Sequence, residues 1–221
     1  MADVSLDVPL GAFIAVSGPS GAGKSSLLWA IAGAVAPTWG TVEFDGTPVT
    51  SRPEAAARGV VLIPQGNGLA RVLTARENLT IPLLAAPDLG NVLRRARGDA
   101  DEEDREERDE TLHTIDSIIA DALADVGLED SGNHLVEELS GGEQQRVAVA
   151  RGLAQRGRVI LADESTSELD GTNRERVLTL LRREAHRGAA VLIATHDPNV
   201  ADAADAHAAM DEGHLTWLRR L

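Results

Sequence analysis

The sequence predicts an α/β fold, a parallel sheet flanked by helices and interrupted by an inserted helical lobe. Three observations predict it. Four short apolar runs, Phe13–Val16, Val60–Ile63, Val159–Ala162 and Val191–Ala194, have the length and aliphatic make-up of buried strands. Helical patterns separate them, the alternation a parallel sheet requires. Between Gly66 and about Ala154 the character turns mostly helical, so the α/β core is discontinuous.

Each element follows in order. Phe13–Val16 ends at Gly18 and feeds a glycine-rich loop. Ser25 to Val35 reads as the next helix, closed by Pro37. Thr41–Phe44 and Thr47–Thr50 flank Asp45-Gly46, a strong hairpin signal that makes a small β-subdomain near the N-terminus. Pro64 stops the strand Val60–Ile63. Within the helical lobe, loops are expected at Pro87-Asp88 and at Ser131-Gly132-Asn133. A helix from Asn173 to His186 separates the last two strands. The core is therefore expected at about residues 1–66 and 155–221, with the lobe at about 67–154. Arg94 to Glu110 is a dense run of mixed charge, in which Asp101 can pair with Arg105 and Asp104 with Arg108 along a helix. It reads as a solvated helix or loop, with an acidic docking site as the alternative.

Composition bounds the partners. A chain of 221 residues suits one α/β domain, and 43% hydrophobic residues suffice for a sizeable core. Aromatics are only 2%, so that core must be aliphatic, and the absence of cysteine excludes disulfides. A formal net charge of −14 opposes binding along a nucleic-acid backbone, and no nucleic-acid partner is expected. The first residues lack a basic start and an apolar signal core, and no apolar run is long enough to span a bilayer. The expectation is a soluble intracellular protein that meets a membrane only through a partner.

The chemistry begins at Gly18-Pro19-Ser20-Gly21-Ala22-Gly23-Lys24-Ser25-Ser26, between a strand and a helix. The glycines let backbone N–H groups turn toward phosphate oxygens, and the helix adds its positive end. Lys24 can reach the β- and γ-phosphates, and the Ser25 hydroxyl can ligate Mg²⁺. Val159–Ala162 then ends in Asp163-Glu164, two carboxylates at the sheet edge where ligands bind. Asp163 would hold Mg²⁺ and Glu164 would polarise an attacking water. An apolar strand ending in two acids is weak evidence alone; the phosphate loop gives it weight. His196 follows a strand at the same edge, where a lone histidine is ordinarily structural but can also reach a γ-phosphate. Gln65, after Pro64, could sense Mg²⁺ or the water. Leu139-Ser140-Gly141-Gly142-Glu143-Gln144-Gln145-Arg146 reads as a second anion site: Ser140, Gly141 and Gly142 open a helix that runs to about Leu153.

In this order and spacing the motifs resemble the ATP-binding domain of the ABC transporters over nearly the whole chain. The resemblance implies a P-loop NTPase (RecA-like) core, ATP and Mg²⁺ as ligands, and ATP hydrolysis. It assigns the P-loop to residues 18–25, the Q-loop to Gln65, the signature to 139–146, the Walker B strand to 159–164, the D-loop to Ser167-Glu168-Leu169-Asp170 and the switch histidine to His196. It further implies a homodimer or heterodimer of ATPase subunits in which Ser140, Gly141 and Gly142 bind the γ-phosphate held by the other subunit. Asp170 would lie near the partner's P-loop. A separate transmembrane permease subunit would carry the cargo, with this chain cytoplasmic and peripheral on the inner face of the plasma membrane. Leu73-Thr74-Ala75-Arg76-Glu77-Asn78-Leu79-Thr80-Ile81-Pro82-Leu83-Leu84 and Ala124-Asp125-Val126-Gly127-Leu128 are similar to stretches of the lipoprotein-release and macrolide-export ATPases.

Two positions depart from the pattern. Family members carry an aromatic residue on an early strand that stacks on adenine; none of Phe13, Trp29, Trp39, Phe44 or Trp217 stands there. The expectation is a weaker hold on the base and a greater weight on phosphate contacts. Ser165 replaces the proline usual after the catalytic glutamate, with a modest effect expected. Competing expectations are a soluble ABC ATPase in DNA or ribosome function, and a weakly active nucleotide-responsive regulatory subunit.

Overall fold

The computed structural model describes residues 4–86 and 102–221, with the side chains of all but 102–106 among them. The loop expected at Pro87-Asp88 and the pairs Asp101–Arg105 and Asp104–Arg108 lie outside these described residues and side chains. The chain divides into two compact units, Met1–Gly68 with Arg156–Leu221, and Leu69–Gln155.

The first unit is built on a six-stranded sheet. Its strands are β1 (Phe13–Ser17), β4 (Val60–Ile63), β5 (Val159–Asp163), β6 (Ala190–Thr195), β7 (Ala206–Asp211) and β8 (His214–Arg219), in the order β4-β5-β6-β1-β7-β8. The first five in that order run parallel, and their central members β5, β6 and β1 are apolar up to a polar last residue, as strands covered on both faces must largely be. Strand β8 is antiparallel to β7, so the sheet is mixed rather than purely parallel. The reason is local: Glu212 and Gly213 join the two strands with φ of 43° and 83°, the paired left-handed conformation of a tight hairpin turn.

Helix α1 (Lys24–Ile31) packs Leu27 and Leu28 against Ile14, Val16, Leu161 and Leu192. Burying each such side chain is worth about 1.5–3 kcal/mol. The helix stops short of the expected Val35. Gly33 turns left-handed at φ +68°, and a Cβ there would lie 2.6 Å from the Ser51 carbonyl oxygen. The hairpin of β2 (Glu43–Phe44) and β3 (Thr47–Pro48) is shorter than its pattern suggested, with Asp45 and Gly46 both at positive φ as its turn requires. It is held from the side by Arg158, which stacks on Phe44 and pairs with Asp45 at 3.0 Å. A short helix α2 (Arg52–Ala57) is N-capped by Ser51 with Pro53 in its first turn.

Among the described residues, the second unit packs three helices, α3 (Ala75–Ala85), α4 (Glu102–Asp125) and α5 (Gly141–Ala154). Leu79 and Leu83 of α3, Ile115, Ile119 and Leu123 of α4, and Val147 of α5 are buried. Thr74 caps α3 in a reciprocal capping box with Glu77. Buried Asn78 folds the entering loop onto the same helix: its Oδ1 accepts from Ala70 N at 2.8 Å and its Nδ2 donates to Ala70 O and Thr74 O. Two 3₁₀ turns, Glu129–Ser131 and Val136–Glu138, stand around the expected loop at 131–133. In the first unit, α6 (Gly171–His186) buries Val177, Leu178 and Leu181, and α7 (Pro198–Ala203) buries Val200. Among the described residues no helix is long and apolar enough to cross a membrane.

Candidate functional site

Strand β1 ends at Ser17 and the chain turns through Gly18, Gly21 and Gly23 at φ of 149°, 83° and 105° before α1 begins. At Gly18 a side chain is impossible: a Cβ would sit 2.0 Å from the Met210 carbonyl oxygen of β7. Gly23 caps α1 with no side-chain bond, which leaves the helix's first N–H groups available to an anion. Ala22 is buried and knits the loop, its N–H donating to Pro19 O at 3.2 Å and its carbonyl accepting from Gly213 N at 3.0 Å.

A cavity of about 520 Å³ opens on this loop. Ser20, Gly21, Gly23, Lys24, Ser25 and Ser26 form one side of it. Gln65, beyond the end of β4, Glu164, beyond β5, and His196, beyond β6, form the other, together with Ser167. The carboxyl ends of three parallel strands thus deliver single side chains to one cavity beside the glycine-rich loop.

Lys24 is only 7% exposed, and its ammonium donates to Gly18 O at 2.8 Å and Pro19 O at 3.1 Å. Its Nζ also lies 3.5 Å from Glu164 Oε1. The other Glu164 oxygen is hydrogen-bonded to His196 Nδ1 at 2.8 Å. Glu164 holds this place from a left-handed backbone, φ +51°, which costs a non-glycine residue about 1–2 kcal/mol. The turn is secured by Glu164 N donating to Ala194 O at 3.0 Å and by Ser167 Oγ donating to Glu164 O at 2.9 Å. Ser165, next in the chain, is fully buried and its hydroxyl has no hydrogen-bond partner among the described residues.

Asp163 sits behind the cavity, 1% exposed, with neither carboxylate oxygen in a hydrogen bond of good geometry. Burial pushes its carboxyl above the usual range, and the Glu164 charge adds to this; the nearby Ser25 hydroxyl and Lys24 offset part of it. Two orphaned, buried carboxylate oxygens beside a serine hydroxyl are the donor set a hard divalent cation takes. The residues present therefore fit Mg²⁺: Ser25 and Asp163 would hold it, with phosphate oxygens or water completing the shell and Gln65 lining the same cavity. When bound, such an ion neutralises phosphate charge and polarises phosphoryl oxygens.

The remaining motif residues stand elsewhere. Ser140 caps α5 in the second unit: its hydroxyl donates to Glu143 Oε2 at 2.6 Å and accepts from Glu143 N at 3.4 Å. The Ser140 bonds hold the Glu143 carboxyl below the usual range. Ser140 and Gly141 are exposed and Gly142 half-exposed at the start of the helix. Asp170 caps α6, accepting from Asn173 N and Nδ2, both at 2.9 Å. Asp170 does not line the P-loop cavity, and the 140–142 turn belongs to the second unit. Motif reading passed over Ser17 and His207, whose hydrogen bond at 2.7 Å lies behind the P-loop. Each is an isolated polar residue in a strand, and only the sheet order brings them together.

Comparison with known proteins places this geometry. The ABC transporter family model matches residues 1–167. The methionine import ATP-binding protein MetN of Nocardia farcinica is 36% identical over 222 positions, which take in 98% of this chain and 60% of that protein. The chain thus spans about three-fifths of the length of this curated relative. Among solved structures, the dimeric structure of MJ0796, a bacterial ABC transporter cassette, superposes with a TM-score of 0.79 at 32% identity, covering 99% of this chain and 90% of that one. The dimeric post-hydrolysis state of the same cassette bound to ADP and Pi gives a TM-score of 0.78 at 32% identity, with the same coverage.

Proposed function

The chain belongs to the ABC transporter family, and from that premise we propose that it is an ATP-binding and ATP-hydrolysing cassette that powers a separate membrane subunit. Two chains would enclose two ATP molecules. Each site would combine Lys24, Ser25, Gln65, Asp163, Glu164 and His196 of one chain with Ser140, Gly141 and Gly142 of the other. The dimeric cassettes described above support the two-chain arrangement. Binding would close the dimer, and hydrolysis with phosphate release would open it.

One observation carries the reading. Glu164 is the nearly buried carboxylate at the mouth of the P-loop cavity, clamped between Lys24 and His196 by a backbone that accepts strain to place it there. An incoming triphosphate competes for Lys24, which leaves the carbonyls of Gly18 and Pro19 and the Glu164 side chain for the β- and γ-phosphates. Glu164 is then free to accept a proton from water, with His196 still orienting it.

The Glu164→Gln variant tests this. The amide preserves volume and removes the base, so MgATP binding persists, turnover falls by about 100-fold or more, and ATP-bound dimer accumulates. Hydrolysis close to the parent rate would overturn the assignment of Glu164. Association with a membrane subunit is part of the same proposal, and the protein that co-purifies with the Glu164→Gln dimer from native membranes tests it.

A further inference from the structure

The stem of the P-loop is tied to the sheet by a contact outside the phosphate cavity. Ser17, the last residue of β1, shares a hydrogen bond of 2.7 Å with Nε2 of His207 on the neighbouring strand β7. In the parallel register Ala15 faces His207 and Ser17 faces Ala209, so the bond runs diagonally across one face of the β1–β7 pair. That face is open. A cavity of about 280 Å³ adjoins it, lined by Ser17, Gly18, Pro19, His196 and His207, with Pro198 and Ala201 of α7 beyond. On this face of β7 the residue opposite Ser17 is Ala209, which supplies little side-chain bulk that could wedge the stem in place. The hydrogen bond is thus the directional restraint on Ser17 from this side, one residue before Gly18.

We propose that His207 is a positioning residue for nucleotide binding, acting through Ser17 to hold the entry of the P-loop in its phosphate-binding shape. The proposal rests on the reading of residues 18–25 as the triphosphate cradle. Strand β7 meets the stem at two successive points, His207 on Ser17 and the Met210 carbonyl against Gly18. When Lys24 leaves the Gly18 and Pro19 carbonyls for a phosphate, the loop loses two of its own bonds at the moment its N–H groups must be aligned. The Ser17–His207 bond is untouched by that exchange and keeps the stem ordered through it. Ordering a loop on binding weakens affinity, and a loop ordered beforehand avoids that cost.

The surroundings keep His207 in one state near neutral pH. Burial, and then Arg219 paired opposite it on β8, lower its pKa, while Asp202 of α7 acts the other way. Arg219 is itself anchored, its guanidinium donating to the carbonyls of Ala204 at 2.6 Å and Ala201 at 3.1 Å. Of the remaining charged or titratable groups nearby, Asp205 accepts from Phe13 N at 2.9 Å and His196 stands across the cavity.

A double-mutant cycle with a conservative rescue tests the proposal. MgATP affinity is measured at pH 7.5 for the parent chain, Ser17→Ala, His207→Leu, the double variant and His207→Gln, whose amide can still bond Ser17. Melting temperature is recorded for each without nucleotide, and Lys24→Ala serves as the control for the cradle. Ser17→Ala and His207→Leu are expected each to weaken binding about three- to tenfold, the range one hydrogen bond supplies, with the double variant no weaker than either. His207→Gln is expected within about twofold of the parent. Fully additive losses, or a His207→Gln variant as weak as His207→Leu at equal melting temperature, would overturn the positioning role. Parent-like affinity in Ser17→Ala would do the same. If the parent fails to bind MgATP, or Lys24→Ala binds as well as the parent, the cradle reading itself falls and this inference falls with it.

Discussion

At the residue scale, the site stores unfavourable energy in two adjacent acids. Glu164 occupies a left-handed backbone conformation, and Asp163 keeps two carboxylate oxygens buried with no well-formed hydrogen bond among the described residues. A ligand-free fold has no use for either arrangement, since burial disfavours the carboxylate's charge more than the nearby Ser25 and Lys24 favour it. The penalty becomes intelligible if Asp163 awaits a cation. Asp163→Asn keeps the shape and removes the charge. It is expected to raise the melting temperature of the nucleotide-free chain by about 2–6 °C, on a gain of about 1–2 kcal/mol, while abolishing Mg²⁺-dependent hydrolysis. The gain should fade in acid, because a carboxyl whose folded pKa is raised carries a penalty that is full above the folded pKa, shrinks as pH falls toward the unfolded pKa, and is gone below both. Calorimetry of both proteins at neutral and acid pH, beside a turnover assay, checks this. A melting temperature lowered by the substitution would mean that the Lys24 and Ser25 contacts outweigh burial.

At the scale of elements, what could be read from the chain depended on whether a single period or turn carried the signal. The strands Val60–Ile63 and Val159–Asp163 were legible because four consecutive aliphatic residues leave little else to form. Helix α1 stops short of the reach its pattern predicts because Gly33 ends it through a close approach to Ser51, a residue eighteen positions away that no local pattern reveals. Strand β7 gives little strand signal because alanine dominates it, while the polar–apolar alternation of β8 and the Glu212-Gly213 turn between the two are usable hairpin signals. Of the candidate site, the convergence of Gln65, Glu164 and His196 on the P-loop followed from their places after parallel strands; the Ser17–His207 tether did not, because it needs the strand order. The cap of α5 changes how the 140–142 turn must be tested. Ser140 is committed to Glu143 through both of its hydrogen-bonding roles, so replacing it also removes a helix cap worth about 1 kcal/mol. Ser140→Ala is therefore expected to lower the melting temperature by a few degrees and weaken ATP-dependent dimerisation, with nucleotide affinity of the monomer unchanged. Ser140→Arg adds bulk and charge and should abolish dimer-dependent hydrolysis outright. Full hydrolysis by Ser140→Arg, read against its melting curve, would remove this turn from the active site.

At the scale of the whole molecule, the proposed two-chain site sets phosphate recognition against net charge. Each chain carries a formal charge of −14, so two copies that close around MgATP approach against a long-range repulsion. The Debye length is about 30 Å at 0.01 M salt and about 10 Å at 0.1 M, so the repulsion is felt across a closing interface at low salt and largely screened at physiological salt. The short-range contacts that would hold the closed dimer, N–H groups and hydroxyls on phosphate, are sheltered from solvent once made and lose much less to screening. The two terms therefore carry opposite salt dependences, and the long-range term belongs to the approach of whole chains. For Glu164→Gln with saturating MgATP, the dimer dissociation constant from sedimentation velocity is expected to tighten by about tenfold or more between 0.02 and 0.2 M salt. Loosening with salt instead would mean that the contacting faces carry complementary charge that overrides the net repulsion. Salt-independent dimerisation would place the acidic surface away from the interface, with the −14 facing solvent rather than the partner chain.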